Sequence, residues 1–439
     1  NDNDYILFYA KGSQQLTYDP TNRLKFNLNN NIYSDSSFYF LNFENSNGLR
    51  IGATSTPSNI VNSTNSYDYV AIEEKNDINF IKSGREFYGQ FFDITSTYNF
   101  SWNDGNFVLN DSLIASVTMA GRAFSPNFYT FNVNGISQSF TISNVGTYYL
   151  DPYANVVNTV AGGANNNINS INLGVTKLSS SALAWLDKIT INTRRQLSIT
   201  NKQFNFRDSR VTGTVSTNGI TYNIQNPTSE YVTIWNVSDF TQPIEVVNTN
   251  SNSSIAFNYT QNNMPDEFIA MVDEDYYKPV YVSKISNQNL HAQAPAEYII
   301  ITHPLFVSHA QRLANLHQVN ENLTYQIATT EEIYNEFSSG NQDISAIRNY
   351  IKMLYLKGVN SGTNIPKFVV LLGDGSYKLK NRDIATNSCL IPSYQSINST
   401  APLSSVTTDD FYGLMDPNEG EYADGSVNNT YKVDIGVGR

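Results

Sequence analysis

The chain has 439 residues, a net charge of −12 and a pI of about 4.8. This length is sufficient for several domains with sizeable cores, while the acidic balance argues against nucleic acid as a partner, because phosphate backbones select basic surfaces. No apolar run reaches the roughly 18 residues that a membrane-spanning helix needs.

The composition favours β-structure in an exported protein. Aromatic residues make up 13% of the chain, with 29 Tyr, and charged residues only 15%. Aromatic and β-branched side chains suit a pleated, half-buried surface, and a polar complement of Asn, Ser and Thr is typical of cell-surface proteins. The amino-terminal stretch lacks the basic and apolar regions of a signal peptide. We therefore expect an extracellular or cell-surface protein, and if it is exported its signal peptide has already been removed.

Residues 1–295 are predicted to form all-β modules. Short aromatic or β-branched runs, bounded by Asn, Gly, Ser and Asp, follow one another at the spacing of β-sandwich strands. These runs are DYILFYAKG, SFYFLNF, YDYVAIEE, EFYGQFFDI, YNFSW, SLIASVTMAG, FYTFNVNG, KITINT, YVTIWNVSD and KPVYVSKIS. We place an amino-terminal β domain at 1–105, a β-sandwich domain at 106–197 and a further β domain at 198–295.

Residues 296–439 change to an alternation of strands and helices. The predicted elements are a buried strand in EYIIITH, a helix beginning at Pro304, a strand in LTYQIATT, a short helix in TTEEIYNEFSSG, a helix from 343 that Gly358 ends, and a strand in FVVLLGD. This order predicts an α/β unit with a mainly parallel sheet. Functional groups of such sheets gather beyond the carboxyl ends of the strands, where His303, Thr330 and Asp374 are predicted to lie.

The stretch LLGDGSYKLKNR follows a strand but is not a phosphate loop. It matches neither the P-loop pattern nor the dinucleotide fingerprint, and Asp374 between Gly373 and Gly375 would repel phosphate. Two interpretations of Asp374 stay open. It could bind backbone amides of a tight turn, or it could be an acid at the rim of an active site.

An acidic cluster lies in residues 405–425. Its members are Asp409, Asp410, Asp416, Glu419, Glu421 and Asp424. Oxygen-rich loops can hold calcium, with Asp416 and Glu419 as the candidate ligands, but the EF-hand pattern is absent and a solvated hairpin loop is favoured. No cofactor is required by the sequence.

The candidate nucleophile and bases are few. The single cysteine, Cys389, permits no internal disulfide and is favoured as a small core residue. The four histidines, His291, His303, His309 and His317, are each favoured as structural, although His303 has a position at which a catalytic group could lie.

Several stretches give the chain a resemblance to a known family. They are SGREFYGQFF, AWLDKITIN, IWNVSD, QNLHA, EYIIITHPLFVSHAQRLANLH, FVVLLGDGSY, IPSYQS, TTDDFYGLMD and VDIGVGR, in the order that the family keeps. The chain resembles the gingipain-like, caspase-fold cysteine peptidases, and among them the sortases of the type IX secretion system of Bacteroidetes. The resemblance implies β-sandwich modules followed by the first subdomain of a caspase-like catalytic domain.

The resemblance also implies a function and partners. Such an enzyme attacks a peptide carbonyl with a Cys thiolate, uses a His as base, removes C-terminal export signals from protein cargo and attaches the cargo to anionic lipopolysaccharide, together with an outer-membrane β-barrel partner. Asp434 matches the acid that orients the catalytic His, or is a solvent-facing strand residue. We expect Asp374, His303, Asp409 and Asp410 at the active-site rim.

The catalytic Cys and His of this family lie downstream of the stretch that VDIGVGR matches. We therefore expect the chain to be an amino-terminal portion that is inactive by itself. The alternative is a non-catalytic surface adhesin, glycan-binding or outer-membrane docking protein, since Tyr-rich β-modules of low charge suit that role equally well.

Overall fold

A computed structural model describes residues 5–43, 48–57, 59–211, 218–251, 253–260, 262–273, 276–380, 389–417, 419 and 432–439. The first two thirds of the described chain are built from strands. These are β1 (Gln15–Tyr18), β2 (Phe26–Asn29), β3 (Gly52–Ala53), β4 (Ile60–Thr64), β5 (Ser66–Glu74), β6 (Phe91–Phe92), β7 (Thr97–Trp102), β8 (Ser112–Arg122), β9 (Asn127–Val133), β10 (Ile136–Ile142), β11 (Asn155–Ala164), β12 (Ile171–Lys177), β13 (Leu183–Gln196), β14 (Gln203–Phe206), β15 (Gly219–Gln225), β16 (Val232–Asn236), β17 (Ile244–Glu245), β18 (Asn248–Asn250), β19 (Ser254–Tyr259) and β20 (Phe268–Val272).

Two sheets form a first β-sandwich. One has the strand order β10-β9-β12-β7, and the other has the order β11-β8-β13-β5, with β6 added beside β13. Alternate residues of both sheets point inward, as the burial of Tyr129, Phe131 and Val133 on β9 illustrates. Burying a side chain of this size contributes about 1.5–3 kcal/mol, so this aromatic core is a main source of the sandwich's stability.

A second sandwich follows, with sheets of order β14-β20-β16-β17-β3 and β18-β19-β15-β4. The short strands β3 and β4 enter it from earlier in the chain and pair in parallel with β17 and β15. The two sandwiches meet at a buried ion pair, in which Arg194 Nη1 lies 2.6 Å from Asp208 Oδ1 and 3.2 Å from Asp68 Oδ1.

The carboxy-terminal third is an α/β unit. Its elements are β21 (Tyr298–Thr302), α1 (Val307–Glu321), β22 (Tyr325–Thr329), α2 (Thr330–Phe337), α3 (Ile344–Ser361), β23 (Phe368–Leu372), β24 (Tyr394–Gln395), β25 (Thr407–Thr408) and β26 (Gly436–Gly438). Strands β22-β21-β23-β26 form one sheet, and each pairing in it is parallel. The predicted fold class, all-β sandwich modules followed by an α/β unit with a mainly parallel sheet, is confirmed.

The central strand β21 explains why EYIIITH is an unbroken apolar run. Ile299 and Ile301 pack with α2 and α3 on one face, while Tyr298 and Ile300 pack with α1 on the other. A strand buried on both faces has no solvent side for polar residues. Described helices are all too short or too polar to cross a bilayer.

Some local predictions were wrong. No strand forms at 37–43 or at 278–286, where extended segments leave Phe43 and Tyr281 exposed. Helix α3 continues past Gly358 and ends at Gly362, whose φ of +68° provides the left-handed cap. Gly358 instead lies so close to the Ile365 backbone that a Cβ at position 358 would come within 2.8 Å of the Ile365 Cα.

The predicted domain boundaries stay predictions, but strand pairing crosses the one near residue 105. Strands β5 and β7 precede that boundary and pair with β13 and β12, which follow it. Aromatic strand clusters in the sequence indicate strands without indicating their partners, because pairing in a sandwich joins residues far apart in the chain.

Candidate active site

The carboxyl edge of the parallel sheet gathers residues from four strands. Strand β21 ends at Thr302, β22 at Thr329, β23 at Leu372 and β26 at Gly438. Because the strands are parallel, the residues that follow them lie along one edge. Ligands of open α/β sheets bind at this edge, so it is the candidate active site.

Arg439, which follows β26, forms the centre of the hydrogen-bond network at this edge. Its Nη1 donates to the carbonyl oxygens of Gly373 (2.7 Å) and Ile391 (3.0 Å), and its Nη2 donates to Ser393 Oγ (3.1 Å). Its Nε and Nη2 also donate to the two carboxylate oxygens of Asp409, both at 2.8 Å. One guanidinium therefore ties the loop after β23 to the segments around Ser393 and Asp409.

The charge state of this pair follows from its surroundings. Burial alone would raise the pKa of Asp409, but hydrogen bonds from Arg439 and Ser393 outweigh it, so the pKa lies below its ordinary value. Burial alone would lower the pKa of Arg439, but the hydrogen bond to Asp409 raises it above the ordinary value. Both groups are thus charged at neutral pH, and Asp409 is an ion-pair partner rather than a general acid.

A loop of the first sandwich packs against this edge. The backbone N–H of Gly84 donates to Gln395 Oε1 (2.8 Å), that of Glu86 donates to Ser399 Oγ (2.8 Å), and that of Arg85 donates to the carbonyl of Ser396 (2.9 Å). Three successive residues of the loop thereby pair with the 395–399 segment. The β-sandwich is therefore part of the wall of the candidate site.

The side-chain amide of Gln395 has a hydrogen-bonded oxygen, whereas its nitrogen has no partner among the described residues. Its Oε1 accepts from Gly84 N–H and from Thr407 Oγ1, and since a backbone N–H can only donate, the amide orientation is fixed. The side chain is almost fully buried, and its Nε2 has no hydrogen-bond partner among the described residues. Leaving a buried donor unsatisfied costs about 1–3 kcal/mol.

A cavity of about 630 Å³ opens between the sandwich loop and the sheet edge. It is lined by Lys82 and Ser83 on one side, by Gly375, Ser376 and Tyr377 on the second, and by Ser393, Gln395 and Thr407 on the third. Its volume lies in the range of roughly 300–1,000 Å³ that is typical of ligand sites.

The predicted rim residues lie at or near this edge, and their catalytic roles stay predictions. His303 caps the 3₁₀ turn Pro304–Phe306, where its Nδ1 accepts from Leu305 N–H (3.3 Å). Asp374 is exposed, and its carbonyl, not its carboxylate, accepts from the N–H groups of Leu390 and Ile391. Asp410 is exposed at the start of a 3₁₀ turn that follows β25.

Asp434 does not lie with these residues. It precedes β26, so it is at the amino edge of the sheet, and its Oδ2 accepts from Met415 N–H (2.9 Å). The carboxyl edge is the length of a strand away. This position does not favour Asp434 as the acid that orients a histidine at the carboxyl edge.

The proposed calcium ligands form a local turn. Glu419 Oε2 accepts from Asp416 N–H (3.1 Å), which uses the carboxylate to cap the backbone. In the described part of the chain no three His, Cys, Asp or Glu residues are grouped as metal ligands. Glu421 and Asp424 lie outside the described residues.

The thiol and two of the imidazoles are in structural settings. Cys389 is 3% exposed, and burial raises the pKa of its thiol, whereas a nucleophilic cysteine needs a lowered pKa. His291 pairs with Glu336 (2.7 Å) and stacks on Phe337, and His317 pairs with Glu321 one helical turn away.

Sequence reasoning missed Arg439, Ser393, Gln395 and Lys82. The rule that drew attention to Asp374, namely that groups follow the carboxyl ends of parallel strands, applies equally to Arg439 after VDIGVG. No signal in the sequence identified Lys82, since its proximity to the edge depends on the packing of two distant modules.

Comparison with known proteins gives a match to one peptidase family and a match to one solved structure over nearly the whole chain. Residues 291–439 match the model of peptidase family C25. The chain matches the crystal structure of dimeric latent PorU from Porphyromonas gingivalis with a TM-score of 0.82 and 20% identity, over 98% of this chain and 41% of that chain. The chain thus spans about two fifths of the length of that protein.

Several solved carbohydrate-binding domains match a smaller part of the chain with low TM-scores. They include the CBM22-1 xylan-binding domain of Paenibacillus barcinonensis Xyn10C (TM-score 0.18, 15% identity, 33% of this chain and 97% of that domain) and a family 35 carbohydrate-binding module from Clostridium thermocellum (TM-score 0.17, 15% identity, 29% and 90%). No curated protein matches the sequence. Residues 291–439 therefore match peptidase family C25, and the chain as a whole has the fold of PorU.

Proposed function

We propose that this chain is the amino-terminal portion of a cell-surface cysteine endopeptidase and transpeptidase of the sortase type. The enzyme would remove C-terminal export signals from type IX secretion cargo and attach the cargo to anionic lipopolysaccharide. The observation that carries this proposal is the parallel sheet of residues 291–439, a C25 domain whose carboxyl edge holds an ordered polar network.

The nucleophile and its base would come from polypeptide outside this sequence. Cys389 is buried, and burial raises the pKa of its thiol. The imidazole would take the thiol proton, and the thiolate would attack the peptide carbonyl while backbone N–H groups hold the oxyanion. The C–N bond would then break, with the imidazolium returning the proton to the leaving amine, and the thioester would pass to an amine of the acceptor. Residues 1–439 would supply one side of the cleft, and this portion alone would be inactive.

The partners and the location belong to the same proposal. The cargo is a protein with a C-terminal secretion signal, the acceptor is anionic lipopolysaccharide, and an outer-membrane β-barrel protein would hold the enzyme at the cell surface. The acidic, low-charge and Tyr-rich composition is compatible with an exported protein and argues against nucleic acid.

The test is an assay with the whole natural polypeptide that contains this sequence. It is incubated with a cargo protein that bears a C-terminal secretion signal, with and without lipopolysaccharide, and the intact masses are measured. We expect loss of the signal and, with lipopolysaccharide, a heavier conjugate. Two results would contradict the proposal. Cleavage of the cargo by residues 1–439 alone, together with labelling of Cys389 by a thiol-reactive probe, would contradict the location of the nucleophile. An unchanged cargo mass after incubation with the whole polypeptide would contradict the activity.

A surface-binding role is a second candidate, because one loop exposes an aromatic pair. Tyr148 and Tyr149 are 59% and 77% exposed, with ring centroids 4.6 Å apart. Exposed tyrosine rings offer an apolar face with a polar tip, as sugar-binding surfaces do. Binding of a glycan by the chain that Tyr148→Ala and Tyr149→Ala abolish would support this role, and no glycan binding would exclude it for this loop.

A further inference from the structure

The cavity between the two modules has an unpaired cation at its mouth. Lys82 lines the cavity from the sandwich side and is exposed. Its ammonium group makes no ion pair with any residue that the structure describes. A lysine without a carboxylate partner is available to a ligand from outside the chain.

The loop that carries Lys82 is ordered by hydrogen bonds and by a close backbone contact. Its backbone is left-handed, with φ of +54°, and the Asn79 side chain holds the loop by donating to the carbonyls of Ser83, Gly84 and Glu86. Gly84 anchors the loop to the peptidase domain, since a Cβ there would lie 2.0 Å from the Asn398 carbonyl oxygen. Lys82 is therefore held beside the cavity by a loop that is fixed by the Asn79 hydrogen bonds and by the contact of Gly84 with the peptidase domain.

Ser376 offers a hydroxyl donor to the cavity, whereas Ser393 and Thr407 donate their hydroxyl protons to Asp409 and Gln395. Ser376 Oγ accepts from Lys378 N–H (3.1 Å), which leaves its hydroxyl proton free to donate into the cavity. Among the residues that the structure describes, no carboxylate lines the cavity. The nearest acid in the network, Asp409, is neutralised by the bidentate pair with Arg439. Within the described part of the chain, the cavity thus combines one cation with an uncharged hydroxyl donor, and no anion lines it.

We propose that this cavity is a subsite that binds an acidic side chain of an extended polypeptide, with Lys82 as its specificity-determining residue. The identity of that polypeptide as substrate rests on the proposed peptidase function. The cavity lies at the carboxyl edge of the sheet beside Gly375, so a polypeptide in the cleft would pass along it. A carboxylate would pair with the Lys82 ammonium and accept from the Ser376 hydroxyl.

The test compares two fluorescein-labelled nonapeptides that differ only in a central Glu-Glu or Gln-Gln pair. Their fluorescence anisotropy is titrated with the full chain. We expect the Glu-Glu peptide to bind about tenfold more tightly, as a charge-assisted hydrogen bond allows. The variant Lys82→Gln should abolish the difference and Lys82→Arg should restore it, while Lys75→Gln, at an exposed lysine of the same sandwich, should leave it unchanged.

Equal affinity for the two peptides, absence of binding, or a Glu preference that survives Lys82→Gln would overturn the subsite. The proposed function is tested separately by cleavage of the cargo protein by the whole polypeptide. If cleavage occurs without an acidic preference, the subsite fails and the peptidase function stands. If the Lys82-dependent preference is found but no cargo is cleaved, the binding site stands and the peptidase function fails.

Discussion

The Arg439 guanidinium and the Asp409 carboxylate face each other through two hydrogen bonds of 2.8 Å, one from Nε to Oδ2 and one from Nη2 to Oδ1. Such a bidentate geometry fixes the orientation of both side chains as well as attracting them. Only about a fifth of each side chain is exposed, so water screens the pair weakly. The pair connects the end of β26 to the segment that carries the cavity wall.

Replacing Asp409 by Asn should destabilise the chain. It would leave the largely buried Arg439 charge without its carboxylate partner, at a cost of about 1–3 kcal/mol. Urea unfolding at pH 7 measures this difference. The matched control is Asp77→Asn, because the Lys75–Asp77 pair is more than half exposed and is expected to contribute about 0–1 kcal/mol. Equal effects of the two substitutions would contradict the structural importance of the Arg439–Asp409 pair.

The same pair should have a recognisable pH dependence. Because the folded pKa of Asp409 lies below its ordinary value of 3.8, the unfolded chain binds more protons at this position. Its contribution is therefore fully present above pH 3.8 and is lost as the pH falls through the lower folded pKa. The free energy difference between the wild type and Asp409→Asn should be constant from pH 7 to pH 5 and shrink below pH 4. A difference that grows on acidification would show that the pair has the opposite linkage.

Gly84 should be irreplaceable at the contact between the modules. Its φ is +78°, and an added Cβ would lie 2.0 Å from the Asn398 carbonyl oxygen, so Gly84→Ala adds a backbone clash to left-handed strain of about 1–3 kcal/mol. Gly105 is the matched control, since its φ is +68° and nothing lies within 4 Å of the corresponding Cβ. We expect Gly84→Ala to increase proteolysis of the 79–88 loop and to lower the unfolding midpoint much more than Gly105→Ala. Similar effects would mean that strain alone, and not the module contact, requires glycine.

Cys389 should behave as a core residue towards alkylating agents. Its burial raises the pKa of the thiol and leaves it 3% exposed, so both the thiolate fraction and the access are low. Iodoacetamide should modify it slowly in the native chain and quickly in urea, as followed by intact mass. Native-state alkylation as fast as that of the unfolded chain would contradict this setting and reopen Cys389 as a nucleophile.

The sequence predicted elements well wherever their signals were local. Thr329 and Glu332 form the reciprocal capping box that begins α2, which TTEEIYNEF predicted through its Thr cap and acidic first turn. The unbroken apolar run around Ile300 correctly predicted a strand buried on both faces. The carboxyl-edge rule placed Asp374 correctly after β23.

The sequence was less informative where the structure depends on contacts between residues far apart in the chain. Residues 37–43 have the aromatic pattern of a strand but find no pairing partner, and pattern alone cannot supply one. The catalytic role of Asp434, which the family resemblance implies, stays a prediction, and the direction of β26 puts this residue at the amino edge of the sheet. Lys82 and Gln395 meet at one cavity although 313 positions separate them, because two modules pack together there.

Asp187 is the group whose protonation should alter stability near neutral pH. It occupies the irregularity of β13 where the pairing with β8 shifts between Leu186 and Lys188. Burial raises its pKa to about 7, helped by the charges of Glu86 and Glu74, while Lys188 opposes the shift. Glu86 belongs to the loop that packs against the 395–399 segment.

The sign of this effect is opposite to that of Asp409. The folded chain holds the Asp187 proton above pH 3.8, where the unfolded chain has released it, so stability falls as the pH rises from about 4 to about 7 and is level beyond that. The total cost is up to about 4 kcal/mol for a shift of this size. Asp187→Asn should therefore raise the free energy of unfolding at pH 8 and have little effect at pH 4, whereas Asn in place of the exposed Asp93 should have no effect at either pH. Parallel pH curves of the wild type and Asp187→Asn would rule out a carboxyl group that stays protonated near neutral pH.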